Sequence, residues 1–424
     1  MPLINAPHAL KNTDFPFAFA YWANDNSLYV GRSGSGTLTI SKGGAVSNTW
    51  GHIGNDAGSM GEAAVSGAGS TWANSQTLSI GYRGIGTLTI SDGGTVSNAG
   101  GSIGMFSNST GEVTVSGKGS TWTNSGSLEV GRSGSGTLTI SDGGMVSVTS
   151  VTVSAANIGS NRRGVINIGA AQGSAVTAPG TLNTSTVNLG ATGSLIFNHT
   201  DMSGDHRFAP QITGTGTVTQ IAGMTTFIAN NTYKGTTMVA GGTLFINGDQ
   251  SQATGAVTVA SGAMLGGSGI IGGDVSVADG GILAPSGLLT INSQVDIAGT
   301  LSLNLYGSGL ADMLAISSLN SVNISSATLD LILRDGVMPV EGTYYKLINY
   351  GPTAYDDGRI GSADGWFGSI TSSPGYSYDI IYNYQESIRG SDDYYIAISF
   401  TVVPEPASLT LLALGAAGLL ARRR

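Results

Sequence analysis

The chain has no cysteine, so neither disulfides nor thiolate chemistry can serve its fold or its function. Charged residues are only 10% of its 424 residues, and histidine occurs 4 times. That leaves little material for the convergent carboxylates, lysines and imidazoles on which acid–base and metal chemistry depend. Lysine and arginine number 17 against 26 acids, a net charge of −9, and an acidic surface argues against nucleic acid as a partner. Proline is scarce at 11 residues while apolar content is an ordinary 40%, so the chain is not a disordered low-complexity polymer. No Walker loop, and no Gly-x-Ser-x-Gly elbow in a strand-to-helix setting, can be found.

What the chain does have is glycine, 67 residues of it, and self-similarity. Ser, Thr, Asn and Gly punctuate short runs of Val, Ile and Leu, the pattern of many short strands joined by tight turns. Trp22-Ala23-Asn24 returns as Trp72-Ala73-Asn74 and Trp122-Thr123-Asn124. Gly36-Thr37-Leu38-Thr39-Ile40-Ser41 returns at 86–91 and at 136–141, and half-way between stand Gly61-Glu62-Ala63-Ala64-Val65-Ser66 and its echo at 111–116. The unit is therefore 25 residues in two alternating versions. Within each unit Leu38 and Ile40 alternate with Thr37 and Thr39, so one face of a strand is apolar and the other polar. A single unit cannot bury that face, but stacked units can. The Gly-Gly pairs at 43–44, 93–94 and 143–144 mark sharp turns, where a residue without Cβ takes positive φ.

Further along the step shortens. Val257-Thr258-Val259-Ala260-Ser261-Gly262 is echoed 18 residues later by Val275-Ser276-Val277-Ala278-Asp279-Gly280. With Asn231-Thr232-Tyr233-Lys234-Gly235 and Gly266-Gly267-Ser268-Gly269, the stretch from Thr213 to Pro285 resembles the strand repeats of autotransporter passenger domains. The resemblance implies a parallel β-helix, and the periodicity agrees. About 14 coils at 4.8 Å each predict a rod on the order of 65 Å. Ten of the fifteen tyrosines fall between 335 and 400, in alternations that read as strands closing the last coil.

The chain ends in Val403-Pro404-Glu405-Pro406, a mostly apolar run from Ala407 to Ala421, and Arg422-Arg423-Arg424. The run is short of the roughly 20 residues of a comfortable spanning helix, and the arginines belong on the cytoplasmic side. These three parts in this order resemble the PEP-CTERM sorting signal of Gram-negative bacteria. The resemblance implies an exosortase-like membrane enzyme as partner, removal of the tail, and a cell-surface or extracellular-matrix destination. Before processing, a short apolar helix over 407–421 would hold the protein in the inner membrane. Met1–Ala20 lacks the basic and apolar regions of a signal peptide, which favours an authentic start upstream.

The expected fold is thus all-β: a single-stranded parallel β-helix (β-solenoid) with a C-terminal Tyr-rich β cap and a short C-terminal apolar helix. The expected divisions are 1–27, an N-terminal cap or incomplete export region; 28–160, 25-residue coils; 161–334, coils of about 18–20 residues; 335–400, the Tyr-rich acidic cap; and 401–424, the sorting signal.

Candidate chemistry is thin. Asp92 and Asp142 share a turn position with Lys42, and a site that accepts both signs is turn filler. Glu62 and Glu112 recur on the outward face about 10 Å apart, too wide for either glycosidase geometry. Asp201, Asp205, His206 and Arg207, with His199 nearby, form the densest polar cluster of the body; a loop excursion between the two repeat types accounts for it more simply than a site for a metal or an acidic sugar. Trp22, Trp72 and Trp122 line up along one side and are a candidate platform for glycan rings, the plainer alternative being indoles that seal a corner. No catalytic residue, metal ligand or cofactor is expected. The function expected is an exported, surface- or matrix-associated structural or adhesive solenoid, with an exopolysaccharide or cell-surface glycan as a partner. A β-helix enzyme acting on extracellular polysaccharide is one alternative. A passenger fragment of an autotransporter adhesin is the other, although the chain after Thr213 has no room for a translocating barrel.

Overall fold

The structure is a computed structural model. It describes residues 3–4, 21–154, 163–306, 309–316, 322–334, 341–350, 367, 369–371, 376–385 and 394–402. The chain winds as a parallel β-helix with three walls. In a typical N-terminal coil the strand Ser35–Ser41 lies in one wall, Ala45–Asn48 in the second and Gly51–Ile53 in the third, and the chain then re-enters the first wall one rung on, at Met60–Ser66. The 25-residue unit is one full turn. Thr37, Glu62, Thr87, Glu112 and Thr137 stand in register on the outside of the first wall. Leu38, Ala63, Leu88, Val113 and Leu138 stack beside them inside and are buried.

The doubling of the period to 50 residues has a packing cause. Inside the second wall the column runs Trp22, Val46, Trp72, Val96, Trp122, Val146. In the third wall the matching column runs Leu28, Gly51, Leu78, Gly101, Leu128. A coil with Trp and Leu therefore alternates with a coil that carries Val and Gly. A Cβ on Gly101 would lie 3.1 Å from Cζ2 of Trp122 and 2.6 Å from Oδ1 of Asn124. The small coil thus makes room for the indole of the large one, alternating volumes so that the interior fills without voids.

Two kinds of corner keep the coils stacked. Gly31, Gly54, Gly81, Gly104 and Gly131 have φ between 66° and 71°, and the site of a Cβ on Gly104 is 2.1 Å from the carbonyl oxygen of Ser135 in the next coil. Only glycine meets both conditions. In the other corner Lys42, Asp92 and Asp142 share a φ of 52–55°, so this position is selected by backbone conformation and not by charge.

The first wall is continuous. Among the described residues it has thirteen strands, from Ser35–Ser41 to Val322–Asn323, or about 60 Å at the inter-strand spacing, close to the expected length. The other two walls are each built in two parts. The second stops at Thr181–Asn183 and resumes at Arg207–Phe208; the third stops at Gln211–Gly214 and resumes at Asp249–Gln250. Coils contract later than the expected boundary at 161: Gly136 pairs with Gly164, Gly164 with Gly193 and Leu195 with Val218, and steps of 19, 20, 18 and 20 then run through Val218, Thr237, Val257, Val275 and Val295.

Parallel winding also runs past residue 334. Tyr345–Asn349 continues the ladder from Met313–Ile316, and Ser369–Thr371 that from Thr328–Leu333. The final two strands, Tyr376–Gln385 and Tyr394–Val402, are antiparallel and close this end against Tyr345–Asn349. Below them Asp312 is fully buried, and its carboxylate accepts from the Gly287 N–H at 2.6 Å, the Asn304 N–H at 3.2 Å and the Tyr306 hydroxyl at 3.2 Å, as a buried charge requires. Among the described residues no helix is long and apolar enough to cross a membrane. Val403, Pro404, Glu405 and Pro406, the run 407–421, and Arg422, Arg423 and Arg424 lie outside the described residues.

Candidate functional site

The tryptophans are not a sugar platform. Trp72 and Trp122 are 0% exposed, and a ring with no free face cannot stack on a glycan. Parity explains their place: each indole occupies the inward column of its strand, where the neighbouring coils carry Val46, Val96 and Val146. Trp72 Nε1 donates to Asn48 Oδ1, and Trp122 Nε1 to Asn98 Oδ1, both at 2.7 Å. These asparagines are buried too, and Asn48 donates to Asn74 Oδ1 at 2.7 Å while Asn98 donates to Asn124 Oδ1. The indoles are thus part of a polar ladder inside the corner. Trp22, at the first coil, is half-buried and packs on the same core. Glu62 and Glu112 point to solvent two rungs apart, with Thr87 between them.

The polar cluster around residue 201 sits at the interruption of the second wall. There a cleft of about 450 Å³ opens between Gly180–Thr184 and Asp205–Pro210, with Met145, Ile168, Leu182 and Phe208 beneath it. Two inter-coil backbone bonds bound the interruption, Thr200 N–H to the Thr177 carbonyl at 2.9 Å and Gln211 N–H to that of Ser185 at 3.0 Å. His199 is 1% exposed, donates to or accepts from Thr225 Oγ1 through Nε2 at 2.9 Å, and lies with its ring centre 4.6 Å from that of His206. His199 Nδ1 and His206 Nε2 are buried without a protein partner. Asp201 is held below the usual carboxylate range by the Ser203 hydroxyl and N–H. Among the described residues no three His, Asp or Glu side chains converge as a metal site.

Burial, then the neighbouring His206, brings the His199 pKa down from 6.5 to about 4, and burial also lowers that of His206. Between these limits the unfolded chain binds more protons than the folded one, so stability falls as pH falls from about 6.5 toward 4. The effect expected from His199 is at most about 3 kcal/mol. Chemical unfolding at pH 7 and at pH 4.5 would measure it. His199→Gln should flatten the dependence, and an unchanged slope in that variant would remove His199 as its source.

A third feature was not anticipated from the sequence. Along the outer corner between the third and first walls, Tyr29 stacks on His52 (ring centres 5.0 Å apart), His52 meets Tyr82 edge-on (5.3 Å), and Tyr82 meets Phe106 likewise (4.8 Å). These rings are half-buried. Arg32 lies over Tyr29 at 5.1 Å, and Arg83 over Phe106 at 4.5 Å and Tyr82 at 5.9 Å, in cation–π range. Two coils beyond Arg83, Arg132 pairs with Glu129 at 3.6 Å. Met60 and Ile85, 54% and 47% exposed, flank the ladder as neighbours in the first wall. The two residues after each corner glycine (Arg32-Ser33, Asn55-Asp56, Tyr82-Arg83, Met105-Phe106, Arg132-Ser133) differ between successive coils, so no recurring motif marked the ladder.

Residues 402–424 match the family model described as the PEP-CTERM protein-sorting motif. A motif of this kind implies export to the cell envelope or surface and processing by an exosortase-type system. Among solved structures, the crystal structure of a TibA fragment hyper-glycosylated by TibC aligns at a TM-score of 0.27 and 16% identity, covering 77% of this chain and 99% of that one. No curated protein matches the chain.

Proposed function

We propose that the chain is an exported, non-enzymatic rod that serves a structural or adhesive role at the surface or in the extracellular matrix of a Gram-negative bacterium, after an exosortase-like enzyme has released it from a transient anchor at 407–421. The observation that carries this reading is the unbroken thirteen-stranded wall, joined in one chain to a sorting motif at 402–424. In its N-terminal coils the rod repeats outward side chains every second coil, as with Thr37, Thr87 and Thr137 or Glu62 and Glu112, so weak lateral contacts to a glycan or to a neighbouring surface add by multivalency.

Fractionation of native cells with mass spectrometry of the protein tests it. The expected result is a body outside the cell with a mature C-terminus near Pro404. An intact tail in the cytosol would overturn it. An enzymatic alternative would place the reaction in the cleft that Asp205, His206 and Arg207 line; turnover of a uronic-acid polymer by the purified chain would favour that reading instead.

A further inference from the structure

We infer that the break in the second wall is a docking slot for an extended segment of another polypeptide, which pairs with the two facing strand edges as an added strand. The inference goes beyond the surface role proposed above and does not depend on it. Backbone parity carries it. Along a strand, successive residues turn their N–H and C=O groups to opposite sides. In Thr181–Asn183 the Thr181 N–H donates to the Gly144 carbonyl, and the Asn183 carbonyl accepts from the Val148 N–H, both in the coil before. Leu182 therefore turns its N–H and C=O toward the coil after. Around Arg207–Phe208 the carbonyls of His206 and Phe208 accept from the N–H groups of Thr226 and Ile228, in the coil after. Arg207 therefore turns its own pair back toward the coil of Leu182. The two strands end separate sheets, so no ladder joins these facing groups, and among the described residues neither has a backbone partner across the break.

Chain length shows why the edges do not meet. The coils are pinned on either side of the break, Thr200 to Thr177 and Gln211 to Ser185. Residues 178–184 span the interval in one coil and the longer segment 201–210 spans it in the next, so the second has slack and leaves the cleft beneath it. The third wall offers the contrast. At its break Asn231 Oδ1 accepts from the Ile212 N–H at 2.8 Å and Asn230 Oδ1 from the Asp249 N–H at 3.0 Å, so side chains stand in for the missing strand. At the second-wall break none does: the side chains of Asn183, Thr184 and Ser185 bond back to the preceding coil, and Asp201 is taken up by Ser203. Backbone groups left in this way are the template for strand addition. The occupant's chemistry follows from the two edges. It must offer N–H and C=O groups on both of its sides at strand spacing, which the backbone of an extended polypeptide does and a sugar chain does not. Ile168, Leu182 and Phe208 are buried beneath the slot, whereas Thr181, Asn183 and Arg207 are exposed. The residue that the added strand turns inward is therefore apolar, and its neighbours are polar.

The test uses the purified full chain and the blocked peptide acetyl-Thr-Val-Thr-Val-Thr-amide as probe. Calorimetry should show saturable binding, and hydrogen exchange of the Leu182 and Arg207 amides should slow at least tenfold with the peptide in excess. The same peptide with its interior amides N-methylated keeps its side chains but loses its donors, and should bind at least tenfold more weakly. Arg207→Pro removes the facing N–H and sets a ring in the slot, and proline is tolerated in an edge strand whose N–H side is open. That variant should lose binding while its thermal midpoint stays near that of wild type. Trigalacturonate, the sugar alternative for the same cleft, should leave the two amides unprotected. A parent peptide that does not bind, equal binding of the methylated peptide, or no protection at Leu182 and Arg207 would overturn the inference. So would equal protection by trigalacturonate. The methylated peptide decides the matter on wild-type protein even where Arg207→Pro fails to fold. Because binding is measured on purified protein and location on cells, failure of the slot and failure of the surface role are separate outcomes.

Discussion

Gly104→Ala should destabilise the solenoid by about 4 kcal/mol, a large fraction of the stability of an ordinary domain. Two costs add. A φ of 68° penalises any residue with a Cβ by about 1–2 kcal/mol. The new methyl group would also stand 2.1 Å from the Ser135 carbonyl oxygen, which is backbone held in the ladder and cannot swing aside, so two coils must part at that corner. Gly58→Ala separates the two costs, because Gly58 has a φ of 79° but no atom within 4 Å of the added carbon; about 1–2 kcal/mol is expected there. Urea unfolding of both variants, with unchanged m-values, decides the matter. Equal losses at the two sites would mean that close inter-coil approach is not what selects glycine along this column.

The second large effect is at the indoles. Trp122→Ala removes a fully buried ring from between coils already narrowed by Gly101. A loss of about 3–5 kcal/mol follows from the cavity, and Asn98 Oδ1 also loses its indole donor. Trp122→Phe keeps most of the volume and should cost about 1–3 kcal/mol, the usual consequence of stranding a buried acceptor. Thermal and denaturant unfolding rank the two variants. If the phenylalanine variant were as damaging as the alanine one, the hydrogen bond and not the packing would dominate. If both were neutral, the large-and-small coil account of the 50-residue period would fail.

Much of this architecture was legible because the solenoid repeats its physics locally. Leu38 and Ile40 against Thr37 and Thr39 state which side is inward, and recurrence at 25 residues states that the inward sides stack. The same parity could have placed the tryptophans. Trp72 stands in step with Val46 and Val96, and a column containing two valines is an interior column. Aromatic size suggested a surface platform only while Trp22, Trp72 and Trp122 were compared with one another and not with the coils between them. The point at which the coils contract was harder to place, because register across the long excursions near Gly164 and Gly193 is set by which strands pair and not by any spaced motif. The corner ladder was hidden for the opposite reason: Tyr29 and His52 share one strand position, while Tyr82 and Phe106 occupy two different positions of the turn after it, so the four rings that touch in space do not recur at one repeat position.

The interruptions of the second and third walls carry a mechanical consequence. They fall at different heights, the one between Asn183 and Arg207 and the other between Gly214 and Asp249, while the thirteen-stranded wall passes both without a gap. Like staggered joints in masonry, they leave no cross-section at which every face is cut. A fissure that starts at one joint meets intact backbone before it reaches the next, and a sideways load on the shaft is handed to the uninterrupted face, making it stiffest in one direction of bending.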